Sequence, residues 1–161
     1  IAEILAKVAE FGTKYVTVTG GEPLAQKECY VLLAALCDAG YSVSLETGGA
    51  MDIAPVDARV SIILDIKTPA SNEEKNMFWA NINHLKPTDE IKFVLCNRAD
   101  YDWAKNKIIE LKLAEKCPTW FSPSFHDLSA EALAGWVLAD KLPVRMQIQL
   151  HKILWGEKAG V

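Results

Sequence analysis

The chain has 161 residues, 50% of them apolar and 24% charged, with a net charge of −4. This length and balance describe a single folded domain, 1–161, and exclude a disordered or low-complexity segment. An acidic chain without a basic cluster excludes nucleic acid as a partner; no apolar run approaches the roughly 18 residues of a membrane span and no signal segment opens the chain, so the expected location is cytoplasmic, away from membranes.

In chain order, Ile1, Leu5, Val8 and Phe11 recur at helical spacing, and Gly12 ends that helix. Tyr15 to Thr19 reads as a strand, stopped by Gly20-Gly21-Glu22-Pro23. A helix is expected from about Leu24 to Ala39, with Val31, Leu32 and Leu36 on its apolar side and Gly40 at a left-handed C-cap. The strand Tyr41 to Glu46 follows and runs into Thr47-Gly48-Gly49. Val60 to Ile66 is nearly all apolar and β-branched, the pattern of a strand covered on both faces, and closes on Asp65-Ile66-Lys67-Thr68-Pro69.

Met77 to Leu85 is expected to be helical, Ile91 to Cys96 a strand and about Asp100 to Glu115 a charged helix. Thr119 to Ser122 forms a short strand before Pro123; Ser129 caps an Ala/Leu-rich helix ending near Asp140; and Val144 to Leu150 alternates apolar and polar residues as a last strand. Strands separated by helices form βα units and hence a parallel sheet, either doubly wound or barrel-like. Glycines and polar residues gather at the C-terminal ends of consecutive strands, where barrel active sites are built, and this favours the barrel. Four cysteines (Cys29, Cys37, Cys96, Cys117) lie in or beside apolar stretches without metal-ligand spacing and read as buried thiols.

Several residues at these strand ends can carry chemistry. The Gly20 to Pro23 turn lets a ligand approach the backbone, and its carbonyls with Glu22 suit an ammonium group; the same residues also suit a tight turn with an acid and a proline opening a helix. Glu46 can accept two hydroxyls or take a proton, or it is a solvated loop carboxylate. Asp65 and Lys67, two apart on one strand, point to one side and can pair. Arg145, Gln149 and His151 share a face of the expected last strand and can grip a planar polar heterocycle. His84, His126 and the five tryptophans read as surface or packing residues.

Taken together, GGEP at Gly20, ETGG at Glu46, LDIKTP at Leu64, DEIKFVLCNRADYDWA at Asp89 and QIQLHKILWG at Gln147 resemble the radical S-adenosylmethionine superfamily and, within it, the 7-carboxy-7-deazaguanine synthase family of queuosine biosynthesis. The resemblance runs along nearly the whole chain. It implies an α/β fold, a partial (β/α)6 barrel, with S-adenosyl-L-methionine across the strand ends beside a 4Fe-4S cluster. It also implies a Mg2+-assisted, radical-mediated ring contraction of 6-carboxy-5,6,7,8-tetrahydropterin with loss of ammonia, a lyase reaction that feeds tRNA modification.

Position by position, the resemblance implies that Gly21, Glu22, Asp65, Ile66, Lys67 and Ser122 contact S-adenosylmethionine. Glu46 would act as the catalytic carboxylate, and Thr19, Gln149, His151 and the C-terminal carboxylate of Val161 would contact the pterin. The family's CxxxCxxC loop is not among these residues, so no metal ligand is expected in this chain. The expectation is a chain lacking the family's first strand, cluster loop and most of its Mg2+ site, inactive alone, homodimeric when whole and reduced by a flavodoxin or ferredoxin. Two alternatives stand beside it: a Schiff-base lyase or aldolase using Lys67, and a non-catalytic nucleoside-binding module.

Overall fold

A computed structural model describes residues 1–156 and 158. Six parallel strands form one sheet in the order β1 (Tyr15–Val18), β2 (Ser42–Thr47), β3 (Ser61–Asp65), β4 (Glu90–Leu95), β5 (Thr119–Pro123) and β6 (Arg145–Met146). A doubly wound sheet reverses its order at a switch point; this one never does. Right-handed crossovers between sequential strands return every helix to the same side, which is the barrel arrangement.

The core lies between the sheet and that helical layer. Val43, Leu45, Ile62, Leu64, Ile66, Ile91, Phe93, Leu95 and Phe121 are buried there. They are met by Leu33 and Leu36 of α2 (Glu28–Asp38), by Tyr101, Ala104 and Ile108 of α3 (Arg98–Glu110), and by Leu133 of α5 (Ala130–Asp140). Edge-to-face contacts of Phe93 with Phe121 (5.6 Å) and of Tyr101 with Phe121 (5.7 Å) fill its centre. The opposite, inner face has no helix against it and stays half-buried.

That asymmetry corrects the expectation for β3. Ile62 and Leu64 are fully buried, but Ser61, Ile63 and Asp65 alternate with them on the inner face and are only half-buried. The apolar run marks a barrel interior rather than a strand sandwiched between helices.

Several boundaries also shift. The first helix covers Ala2–Ala9, and Phe11 is 73% exposed beyond it. After Glu22 comes only a 3-10 turn, Pro23–Ala25, before Gln26 turns extended and α2 begins; α2 packs through Cys29, Leu33 and Leu36, with Val31 exposed. The expected helix over Met77 to Leu85 is a 3-10 segment, Trp79–Asn83. The long charged helix divides at the left-handed Lys112 into α3 and a four-residue α4 (Leu113–Lys116). Ser129 caps α5 as expected, its hydroxyl accepting from the Ala132 N–H at 3.1 Å.

The largest correction is at the last strand, which has two residues instead of seven. Gln147 N–H donates to the Phe121 carbonyl at 3.0 Å. The next rung of a parallel ladder would need an N–H from residue 123, which is proline and has none. The chain leaves the sheet there and forms α6 (Leu150–Trp155), so Arg145, Gln149 and His151 do not share a strand face. Among the described residues, no helix is long and apolar enough to cross a membrane.

Candidate functional site at the tips of the first three strands

The turn after β1 is possible only because Gly20 and Gly21 take positive φ, 112° and 49°. It lifts Glu22 over the end of β2. There the carboxylate accepts from the Leu24 N–H (3.1 Å), the Thr47 hydroxyl (2.8 and 2.9 Å to its two oxygens) and the Gly48 N–H (3.0 Å). The turn reading holds: Glu22 caps the 3-10 turn, and the same carboxylate also ties β1 to the end of β2. Three donors leave part of its acceptor capacity for a ligand ammonium.

Lys67 approaches the same point from β3. A Cβ on Gly48 would lie 3.5 Å from Lys67 Cε and 3.6 Å from Glu22 Oε2, so the two opposite charges flank a residue whose missing side chain keeps the space open. Lys67 Nζ is also 2.7 Å from Asp65 Oδ2, the expected i, i+2 pair. The other Asp65 oxygen, Oδ1, is buried and has no partner among the described residues.

Glu46 is on the inner face of β2, and its Oε2 accepts from the Thr19 hydroxyl at a long 3.4 Å, so these two predicted residues are neighbours. Ile66 is fully buried in the core and its N–H donates to the Lys92 carbonyl at 2.8 Å, leaving only backbone to face a ligand. Ser122 is buried in register with Val94, two strands from Lys67. Gln149, in the turn before α6, lines a cavity of ≈ 170 Å³ with Pro123, Phe125 and Leu128, and its buried Oε1 has no partner among the described residues. His151 is exposed on α6. Val161 lies outside the described residues.

Two supports escaped sequence reading. Asn81, fully buried, accepts from the Ile53 N–H (3.1 Å) and donates to the Gly49 (3.1 Å) and Met51 (2.8 Å) carbonyls, holding the loop after β2 in shape. No local pattern marks it, because its partners are 28 to 32 residues away. Thr47 was visible only as part of ETGG. The same loop explains Gly49: φ is +75°, and a Cβ would meet Met77 Sδ at 2.6 Å and Leu64 Cδ1 at 2.8 Å. Gly49→Ala is expected to cost about 2–3 kcal/mol, the left-handed penalty plus a shift of the flexible Met77. Chemical denaturation checks this; a loss under about 0.5 kcal/mol, the scale of an ordinary surface change, would contradict it.

The cysteines do not form a cluster site. Cys29 and Cys117 are buried, Cys37 and Cys96 half-buried, all as free thiols, and no three His, Cys, Asp or Glu side chains among the described residues could hold a metal ion. Burial is the leading cause that raises all four thiols above their usual range, helped at Cys29 by the Glu22 carboxylate; Cys117 is pushed up to about 11. A cluster needs thiolates, and these groups hold their protons. The four thiols thus do not fit an iron–sulfur cluster, whereas the opposite charges of Glu22 and Lys67 suit an amino-acid moiety such as that of S-adenosylmethionine.

No family model matches the chain. Alignment along nearly the whole of this chain does find relatives. The chain is 44% identical over 162 residues to the 7-carboxy-7-deazaguanine synthase of Chlorobaculum tepidum, covering 99% of this chain and 74% of that protein. It is 38% identical to the synthase of Koribacter versatilis (99% and 77% covered) and 37% to that of Clostridium acetobutylicum (99% and 75%). Among solved structures, QueE from Escherichia coli superposes with a TM-score of 0.70 at 17% identity, over 91% of this chain and 61% of that one. Streptococcus suis SuiB, bound to the precursor peptide SuiA, reaches 0.64 at 12% identity, over 91% of this chain and 40% of its own. At these identities the two structures speak to fold alone, and they agree with the partial barrel.

Proposed function

Because the chain belongs to the 7-carboxy-7-deazaguanine synthase family, we propose that its strand tips bind S-adenosylmethionine for the radical-mediated ring contraction of 6-carboxy-5,6,7,8-tetrahydropterin to 7-carboxy-7-deazaguanine, a lyase reaction that releases ammonia. The observation that carries this reading is the convergence of Glu22 and Lys67 on Gly48. A methionine moiety presents an ammonium and a carboxylate to these two charges in one orientation. S-adenosylmethionine, when bound, supplies the hydrogen-abstracting chemistry.

The chain's own residues orient and screen. Lys67, held at one side by Asp65, directs its remaining donors toward the cofactor carboxylate, and Glu22 takes the ammonium. Asp65 Oδ1, an acceptor without a donor, faces the same side and suits a ligand hydroxyl or N–H. Ser122, with the Gly21 and Ile66 backbones, completes the cofactor contacts. Glu46, beside Thr19, is the carboxylate placed to accept hydroxyls or hold a proton near the pterin. Gln149 is the better placed of the two C-terminal substrate candidates, since His151 is exposed; Val161 stays a proposal from resemblance.

The cluster, Mg2+, the homodimer, the flavodoxin or ferredoxin reductant and the cytoplasmic setting belong to the whole enzyme in this reading. The cysteines among the described residues lack the spacing that holds a cluster. A Schiff-base lysine is disfavoured: Lys67 is tied to Asp65, and the relatives named above share a different chemistry.

Calorimetry of this 161-residue chain with S-adenosylmethionine tests the proposal. Binding without cleavage is expected, weakened about 10- to 100-fold in Lys67→Met, the equivalent of one charge-assisted hydrogen bond. Absence of binding heat, or equal affinity in the variant, would overturn the cradle.

A further inference from the structure

Beside Asp65, the inner face carries polar residues that the proposed cofactor and substrate contacts leave unused. Register sets Asp65, Lys92, Trp120 and Arg145 side by side on β3, β4, β5 and β6. Directly paired residues share a face, so all four side chains project from the side without helices.

Three of the four lack an acceptor. Lys92 is half-buried, and its ammonium has no ion-pair or hydrogen-bond partner among the described residues; the carboxylate beside it, Asp65, holds Lys67 at 2.7 Å. Arg145 has no carboxylate partner among the described residues either, and its guanidinium carbon stands 5.2 Å from the Trp120 ring centroid. Trp120 Nε1–H is buried and donates to nothing described. The buried indole N–H, which can only donate, is costly to leave unsatisfied, and the Lys92 ammonium beside it is free to take an anion. Glu46 on β2 and Glu90 at the start of β4 are the other acids on this face, and neither makes an ion pair with Lys92 or Arg145 among the described residues.

We propose that Lys92, Trp120 and Arg145 form a binding site for the carboxylate of a small planar aromatic acid. The two cations take the oxygens, the indole N–H adds a neutral donor, and the indole and guanidinium planes provide a flat wall for the ring. Arg145, exposed beside the Trp120 ring, meets the anion from the solvent side. The site needs neither S-adenosylmethionine nor a cluster, so it stands or falls separately from the cradle at Gly48.

The five tryptophans give five indole N–H resonances in a 1H–15N spectrum of the chain, and Trp120→Phe identifies the relevant one. Titration with benzoate is expected to move the Trp120 resonance saturably and leave the others in place, with inorganic phosphate binding more weakly. Lys92→Gln and Arg145→Gln are each expected to weaken benzoate about tenfold or more, one charged hydrogen bond apiece. Arg145→Gln, at an exposed position, decides the matter should Lys92→Gln not fold. Absence of saturation, equal movement of all five signals, or unchanged affinity in the variants would overturn the site. The first of these is the result expected if Lys92 instead pairs with Asp65 in solution. Phosphate binding as tightly as benzoate would overturn the aromatic acid as its ligand.

Discussion

Asp100→Ala is expected to lower stability by about 3–5 kcal/mol, the largest effect of any single truncation considered. Asp100 is 1% exposed in the first turn of α3, yet its carboxylate serves two other loops. Oδ1 accepts from the Ala70 N–H and Oδ2 from the Cys96 N–H, both at 3.1 Å, so it joins the chain after β3 to the chain after β4. Alanine removes the acceptor of both N–H groups, that of the exposed Ala70 and that of the half-buried Cys96. Asp100→Asn keeps one acceptor and should cost roughly half as much. Urea unfolding followed by circular dichroism measures both; a loss below about 1 kcal/mol for alanine would mean that water replaces the carboxylate, and the loops are not held as described. Because the first of these loops begins at Lys67 and Thr68, the variant is also expected to weaken S-adenosylmethionine binding wherever it still folds.

Glu22 is the second sensitive position, and there stability and binding separate. Glu22→Ala removes the acceptor of the Leu24 N–H, the Thr47 hydroxyl and the Gly48 N–H, for an expected loss of about 2–4 kcal/mol, tempered by partial access of water. Glu22→Gln keeps the shape and one oxygen, so it should cost less, about 1–2 kcal/mol, while the lost charge weakens S-adenosylmethionine by about tenfold or more. Thermal unfolding and calorimetry on the same two proteins give the comparison. Full affinity in Glu22→Gln would show that the carboxylate serves only to join β1 to β2.

Asp65 and Lys67 illustrate what a local pattern can carry. Two residues apart on a strand, they must share a side, and they are found 2.7 Å apart. Gly20-Gly21 and Ser129 act within a few residues of themselves, through φ and through a capping hydroxyl, and a turn or a helix start follows from their chemistry alone. The spacing of strands and helices similarly contains the parallel sheet, since a parallel neighbour requires a crossover of that length.

What the sequence by itself determined was therefore short-range: the βα alternation, the turns at the strand tips, the charges placed there and the likeness of their motifs to one enzyme family. Tertiary structure decided the rest. Pro123 on β5 ends β6 by withholding an N–H, a veto issued from a different strand, and with it goes the row of Arg145, Gln149 and His151. Only the packing of helices on one side made the inner face of β3 half-buried, and only register brought Lys92, Trp120 and Arg145 together from three separate motifs. Asn81 looks unremarkable in sequence because the groups it satisfies are 28 to 32 residues away, and Asp100 because the Ala70 N–H it takes is 30 residues away. Hydrogen bonds and charges act over a few ångströms of space, and outside a turn or a helix end the chain order does not say which groups those few ångströms will contain.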